Sequence, residues 1–348
     1  MDLHLKLQDA GKISFVIAGF RIQENLLRVE VVMKSVKACL VLAVTAVLFG
    51  GTANAMPLNS SARGVIPADL QQLISVDYRA MKDSPTAAAL KQQLMASQEN
   101  LQQFEGALKG VGINPDKDID TLALASFRTP KQGVKTIGIT TGPFNMKLVI
   151  KKLTLAKIKP TKYHTANLYP MDGGFVMTFL DDSTLLFGEP SSVKLGLDAS
   201  NGDILNLDSN QTMSDMVSSV DAASFWSILD QAGTQNMVRS ALGDAAKIAD
   251  YESVKKRVMG SYYTMDFTSG VNFDLTVVTS DSVTAGTLSM VMKAAIMYKK
   301  TSATPVEKAA MDMATVDSDG SKFMVHFKDS DAQFQSLMHS PLFAAVSH

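Results

Sequence analysis

Cysteine is almost absent from this sequence, in which Cys39 is the only one among 348 residues. A single cysteine cannot form an intramolecular disulfide framework, and it cannot build a metal site from clustered thiolates. Cys39 lies at the start of an apolar run, whereas a cysteine that carries a lipid anchor follows such a run. The sequence therefore indicates neither a disulfide-held fold nor a lipoprotein.

An excess of charge of either sign is also lacking. The 33 Lys and Arg residues and the 34 Asp and Glu residues nearly cancel, which leaves a formal net charge of −1. Nucleic-acid-binding proteins normally carry a clear basic excess, so we expect no nucleic-acid partner. With 46% apolar and 19% charged residues, the composition is typical of a packed globular protein.

Common catalytic and nucleotide-binding motifs are missing as well. The sequence has no G-x-S-x-G, H-E-x-x-H, G-x-x-x-x-G-K or G-x-G-x-x-G. Two S-x-x-K sequences, at Ser191/Lys194 and Ser253/Lys256, lack the S-D-N and K-T-G partners of a penicillin-binding site. These absences predict a non-enzymatic protein, with a hydrolase that uses an unrecognised site as an alternative.

Four histidines follow the N-terminal region: His164, His326, His339 and His348. None has a second histidine or a carboxylate at the spacing of a helical metal site. We therefore predict no metal ion, no cofactor and no catalytic residues. His326 alternates with apolar neighbours in a strand, so it is expected to face solvent or to be part of a sheet edge.

A signal peptide is the clearest feature that the sequence does contain, at residues 33–55. Lys34 and Lys37 precede an uncharged run over 38–49, which is shorter than the roughly 20 residues that span a membrane. Ala53 and Ala55 form an A-x-A cleavage site before Met56. We expect export to the periplasm or exterior and no transmembrane helix after cleavage. An uncleaved anchor is the alternative, and residues 1–32 read as an over-extended N-terminus.

The rest of the chain predicts an α+β fold made of two related units. Residues 56–66 are expected to form a flexible leader, residues 67–203 the first unit and residues 204–348 the second. Each unit follows the order strand, helix, strand, strand, helix, which predicts an antiparallel sheet with helices packed on one face. The alternative is one α+β domain with coincidental spacing. Strands are predicted at 222–229, 258–267 and 271–279, and helices over 283–298 and for about fourteen residues after Pro143.

Two polar runs could bind ions. Asn114, Asp116, Asp118 and Asp120 alternate like the start of a calcium loop, but Ile119 and Ala125 stand where an EF-hand needs Gly and Glu. This run is expected to be a solvated turn. The second run is a lysine cluster, which predicts either a polyanion-binding surface or, as we favour, the wet face of a helix with Leu148, Leu155 and Ile158 inward. The cluster consists of Lys147, Lys151, Lys152, Lys157, Lys159 and Lys162.

Methionine is abundant in the second unit and suggests an apolar-ligand site. Met290 and Met297 lie on a predicted helix, and Phe273 and Leu275 lie on the strand before it. Flexible thioethers suit promiscuous apolar binding, so these four side chains are candidates to line a cavity for a lipid-like ligand. Plain core packing explains the same residues.

Several short motifs follow the predicted signal peptide. They are I-P-A-D at Ile66–Asp69, V-D at Val76-Asp77, S-P at Ser84-Pro85, G-I-N-P-D-K-D-I-D at Gly112–Asp120, and a strand with Trp226. With these motifs the chain resembles a type of secreted bacterial protein of unknown function, over most of residues 65–280. The resemblance implies an envelope or secreted location, a duplicated α+β fold and no known catalytic residue.

We therefore expect an exported, non-enzymatic binding or interaction protein of the envelope or exterior. Its partner is predicted to be an envelope component or an apolar small molecule. A carrier or chaperone for an apolar ligand such as a lipid is the main alternative.

Overall fold

The computed structural model describes residues 57–81, 84–89, 106, 108–130, 133–242 and 254–340. The predicted over-extended N-terminus, the signal peptide and the cleavage residues Ala53, Ala55 and Met56 lie outside these ranges. Within them, no helix combines the length and the hydropathy that crossing a membrane requires.

The strands form one antiparallel sheet of 12 strands, in the spatial order β11-β12-β10-β9-β8-β1-β2-β3-β7-β6-β5-β4. Strands of 67–203 lie together on one side and strands of 204–348 on the other. They are β1 (Leu70–Asp77), β2 (Thr121–Thr129), β3 (Gly133–Thr141), β4 (Thr161–Tyr163), β5 (Ala166–Pro170), β6 (Val176–Phe179), β7 (Thr184–Gly188), β8 (Phe225–Leu229), β9 (Val258–Asp266), β10 (Val271–Thr279), β11 (Ala314–Asp319) and β12 (Lys322–Asp329).

Helices connect these strands and pack on both faces of the sheet. The described ones are α1 (Ser60–Gly64), α2 (Tyr78–Met81), α3 (Pro115–Asp118), α4 (Met146–Leu155), α5 (Pro190–Asn201), α6 (Gln211–Val220), α7 (Gln231–Leu242), α8 (Ser282–Lys300), α9 (Pro305–Met313) and α10 (Asp331–Met338).

The centre of the sheet is the antiparallel pair of β1 and β8, which joins the two halves of the chain. Val76 pairs with Phe225 and Gln72 with Leu229, and the Gln72 Nε2 atom donates a 3.4 Å hydrogen bond to Ser227 Oγ. The α+β prediction is confirmed. The two predicted sheets are one continuous sheet, because hydrogen bonds between β1 and β8 unite them.

The inner strands β8, β1, β2, β3 and β7 are covered on both faces. Face A, which carries Ile74, packs against α4 and α10, and face B, which carries Leu73, packs against α1, α5 and α6. Every residue of β1, β8 and β7 is buried. The prediction of helices on one face is therefore wrong for this region, where apolar side chains point to both sides.

The outer strands β10, β12 and β11 have one covered face only. Val277 and Phe323 pack on face A under α7 and α8, whereas Asp274 and His326 lie exposed on face B. The exposed Asp274 and the buried Val277 lie on opposite faces of β10, as its alternating sequence predicts for a sheet with one wet side. Here the prediction of helices on one face is confirmed.

Residues 57–66 differ from the flexible leader that their sequence suggested. The Asn59 side chain caps α1 by accepting a 2.7 Å hydrogen bond from the Ala62 backbone amide. Ala62, Val65 and Ile66 are fully buried in the face B core. Because these apolar side chains lose contact with water, the segment packs as part of the fold.

Candidate functional site

The predicted ligand-lining residues lie in two separate places. On α8, Ala285, Leu288 and Ala295 are buried against the outer strands. Met290 and Met297 lie on the opposite, outer side of α8 and are 66% and 71% exposed. Phe273 and Leu275 lie half-buried on face A of β10, so the structure does not bring the two pairs into one lining.

Partly exposed aromatic side chains extend the face A surface around Phe273. Its ring centroid is 5.6 Å from that of Tyr263, which stacks on Phe225 at 6.2 Å. Burial raises the pKa of Tyr263 to about 12, although a hydrogen bond with Ser227 acts in the opposite direction. The neutral phenol is therefore part of the apolar packing of this face.

A second exposed apolar surface lies on α4. The predicted inward position is wrong for Leu148 and Leu155, whereas Ile158, just after the helix, packs against the face A core as predicted. The side chain of Asn145 caps this helix by accepting a 3.1 Å hydrogen bond from the Leu148 backbone amide. Val149 and Leu153 are the residues buried in the face A core. Leu148 and Leu155 are instead 41% and 72% exposed, because the four-residue spacing of Val149 and Leu153 sets the helix phase.

Lysines surround these exposed leucines. All six lysines of the cluster between Lys147 and Lys162 are exposed, as is Ile150. The sequence between Asp120 and Asp172 contains no Asp or Glu, so no acidic residue of this segment neutralises them. We call the exposed side chains of α4 and of the loop as far as Lys162 the lysine–leucine surface.

The end of α4 holds Lys157 in an unusual conformation. Its φ is 57°, in the left-handed region where glycine normally ends a helix. The Ile158 backbone amide donates a 3.0 Å hydrogen bond to the Leu153 carbonyl, which closes the helix end around Lys157. His164, with a φ of 50°, is the only other described non-glycine residue with positive φ.

His164 lies beside two carboxylates. Its Nε2 atom is 3.0 Å from Asp198 Oδ1 and 3.5 Å from Asp203 Oδ2. One ligand atom from each residue can be chosen so that all lie within 4.8 Å of one another. Sequence reasoning missed this group because His164 and Asp198 are 34 residues apart and belong to different elements.

The other predicted polar residues do not converge. The Asn114 backbone amide donates a 2.7 Å hydrogen bond to Asp118 at the two ends of α3. Asp120 instead pairs with Arg79, at 2.6 Å, and burial raises the pKa of its carboxyl against the opposing charge of Arg79. His326 is exposed, as predicted, and pairs with Asp274 across the wet face of the outer strands.

Comparison with solved structures gives a distant likeness. No protein-family model matches the chain, and no curated protein matches it. Crystal form I of TP0453 of Treponema pallidum matches 83% of this chain and 98% of TP0453, at 8% identity and a TM-score of 0.45. Crystal form III matches 82% and 99%, at 8% identity and a TM-score of 0.43. The family suggested by the short motifs stays a prediction.

Proposed function

We propose that this chain is an exported, non-enzymatic binding protein that docks on the anionic lipid surface of an envelope membrane. The observation that carries this proposal is the lysine–leucine surface, where Leu155 is 72% exposed among lysines. Single exposed apolar residues are common on protein surfaces. Three on one ten-residue helix, in a segment with exposed lysines and no Asp or Glu in its sequence from 121 to 171, are typical of an interfacial helix.

The electrostatic part of this proposal follows from the charge of the segment. A lysine close to an anionic membrane contributes about 1 kcal/mol of attraction, which decreases with salt because the surface potential is screened. Lys147 and Lys151 lie one turn apart on α4 and can reach the same surface. Several lysines together supply enough attraction for reversible binding.

The apolar part of the proposal comes from Leu148, Ile150 and Leu155. Burying one leucine side chain stabilises it by about 2 kcal/mol relative to water. Leu148 and Leu155 are seven residues apart, so they lie on one stripe of the helix. Such side chains would enter the headgroup region while the lysines contact phosphate.

Export is the second element of the proposal. The signal peptide predicted at residues 33–55 supports a periplasmic or extracellular location, where an envelope membrane is the available lipid surface. The matching order β1-β2-β3 and β8-β9-β10 on either side of the sheet centre supports a duplicated unit. In each half the third strand is followed by a helix on face A, which is α4 in the first half and α8 in the second.

Carriage of an apolar ligand is a second candidate function, which the aromatic surface around Phe273 favours. Tyr263, Phe273 and Phe327 are all partly exposed on face A. Mass spectrometry of organic extracts from the purified protein tests this candidate. A lipid recovered from the protein and lost from Phe273→Ser supports it, and extracts without lipid contradict it.

Vesicle flotation tests the membrane proposal. We expect the protein to float with vesicles that contain about one third anionic phospholipid and not with neutral vesicles, and to be released by high salt. Replacing Lys147, Lys151 and Lys157 by glutamine should lower binding at least tenfold. Replacing Lys308, Lys322 and Lys328, which lie exposed on α9 and β12, is the matched control and should leave binding unchanged. Equal loss in both triple variants, or equal binding to neutral vesicles, would contradict the proposal.

A further inference from the structure

We propose that His164, Asp198 and Asp203 bind a divalent transition-metal ion of the zinc class at the edge of the sheet. Zinc in proteins is bound by imidazole nitrogen and carboxylate oxygen at about 2.0–2.2 Å in tetrahedral geometry. Two ligand atoms at such distances are separated by roughly 3.3 Å. The distances from His164 Nε2 to Asp198 Oδ1 and Asp203 Oδ2, 3.0 and 3.5 Å, lie on either side of that value.

The β4–β5 hairpin positions the histidine. Tyr163 pairs with Ala166, so His164 and Thr165 form a tight two-residue turn at the sheet edge. Histidine at a φ of 50° is less favourable than glycine or asparagine, because its side chain crowds the backbone. The turn holds the imidazole against the C-terminal end of α5.

The end of α5 positions the two carboxylates. Gly202 adopts a left-handed conformation with a φ of 82°, and it ends the helix. The Asp203 backbone amide then donates a 2.9 Å hydrogen bond back to the Asp198 carbonyl. This closed helix end brings the Asp203 side chain near that of Asp198, with one carboxylate oxygen of each within 4.8 Å of the other.

Tyr163 supports the site from outside the ligand set. Its hydroxyl donates a 2.7 Å hydrogen bond to Asp198 Oδ1, as outer partners of metal-binding carboxylates do. The Lys194 ammonium lies 5.1 Å from the Tyr163 ring centroid and covers its face. The hydrogen bond from Tyr163 limits the freedom of the Asp198 carboxylate, and the Lys194 contact packs on the Tyr163 ring.

The ligand types indicate the class of metal. Imidazole with carboxylates suits zinc and its neighbours, whereas magnesium and calcium prefer oxygen ligands alone. His164 is 39% exposed, which leaves room for water to complete the coordination. A bound ion would fasten the β4–β5 hairpin to α5, which is a stronger connection than an exposed ion pair worth at most about 1 kcal/mol.

The test is zinc titration by calorimetry of protein that carries no histidine tag and has been treated with a chelator. We expect one ion per chain with a dissociation constant in the micromolar range, and no heat with magnesium or calcium. His164→Asn retains a residue that tolerates the left-handed turn while it removes the imidazole. We expect this variant and Asp203→Asn each to weaken binding at least tenfold.

The His326 pair provides a matched control, because His326 contacts the single carboxylate of Asp274 and is also exposed. His326→Asn should bind zinc as the parent protein does. Visible absorption of Co²⁺ in place of zinc should show a tetrahedral spectrum that His164→Asn abolishes. Absence of zinc binding by the parent protein, or unchanged binding by His164→Asn, would overturn the proposal. Neither result depends on vesicle binding.

Discussion

The inner and outer strands of the same sheet differ in how many of their faces are covered. In β8 every residue is buried, whereas in β10 buried and partly exposed residues mix and Asp274 is exposed. The sequences show why, since F-W-S-I-L of β8 has apolar residues on both sides, while V-N-F-D-L-T-V of β10 alternates. The inner strands therefore lie between two layers of helices, whereas the outer strands are covered by one layer of helices.

Removing a large side chain from the strands that are covered on both faces should cause the largest loss of stability. Trp226 on β8 is 1% exposed and packs in the face B core. We expect Trp226→Ala to lower the free energy of unfolding by about 3–5 kcal/mol, because it leaves a cavity. Denaturant unfolding measures this. Asp274→Ala on the wet face of β10 should change the free energy of unfolding by less than about 0.5 kcal/mol. Similar losses in the two variants would contradict the difference between the inner and outer strands.

Alkaline pH should separate two neighbouring tyrosines that lie on opposite faces of β9. Folding raises the pKa of Tyr263 on face A from 10.0 to about 12, so the unfolded chain loses its proton first. This contribution is complete below pH 10 and is lost as pH rises toward about 12, a change of about 3 kcal/mol.

Unfolding measured across this pH range, with tyrosinate absorbance, checks the prediction. Tyr263→Phe should flatten the alkaline decrease. Tyr262→Phe, its neighbour on face B, should retain it. An unchanged profile in Tyr263→Phe would show that another group causes the loss.

Glycine positions should also distinguish the two regions. A Cβ atom at Gly138 on β3 would lie 2.0 Å from the Phe187 ring, so we expect Gly138→Ala to destabilise the protein by about 1–3 kcal/mol. A Cβ atom at Gly286 on α8 meets nothing within 4 Å. Gly286→Ala should stabilise by up to about 1 kcal/mol, because alanine favours a helix. Thermal unfolding measures both, and a neutral Gly138→Ala would contradict the close packing.

The smallest loss of stability is expected from a substitution at the contact between β2 and α7, which belong to different halves of the chain. Asp230 caps α7 by accepting a 2.8 Å hydrogen bond from the Gly233 backbone amide, and it pairs with Arg128 at the end of β2. Asp230→Ala should cost about 1 kcal/mol. Asp230→Asn, which can retain the cap, should destabilise the protein less. Denaturant unfolding of the two variants therefore separates the contribution of the helix cap from that of the ion pair with Arg128.

Local patterns predicted the elements better than their arrangement. The alternation of β10 was visible in the sequence and a helix was predicted at 283–298, and both elements are confirmed. The pairing of β1 with β8 was not visible in the sequence, because Gln72 and Ser227 are 155 residues apart. The phase of α4 was ambiguous because Leu148, Val149 and Ile150 are consecutive apolar residues, and only packing selects which one faces the core.

The candidate sites show the same division. The exposure of the lysines of α4 was predicted from the sequence, but the exposure of Leu148 and Leu155 beside them was not. His164 meets Asp198 and Asp203 only because a hairpin turn and a helix end come together in the fold. No local spacing rule detects such a group.

A fluorophore at position 155 tests the central claim most directly. With Cys39 replaced by serine, the chain has no other cysteine, so Leu155→Cys and Thr276→Cys can each carry one environment-sensitive label. On anionic vesicles, the account predicts a blue shift and stronger emission at position 155 and no change at position 276, on the wet face of β10. Unchanged emission at position 155, or equal shifts at both positions, would contradict it.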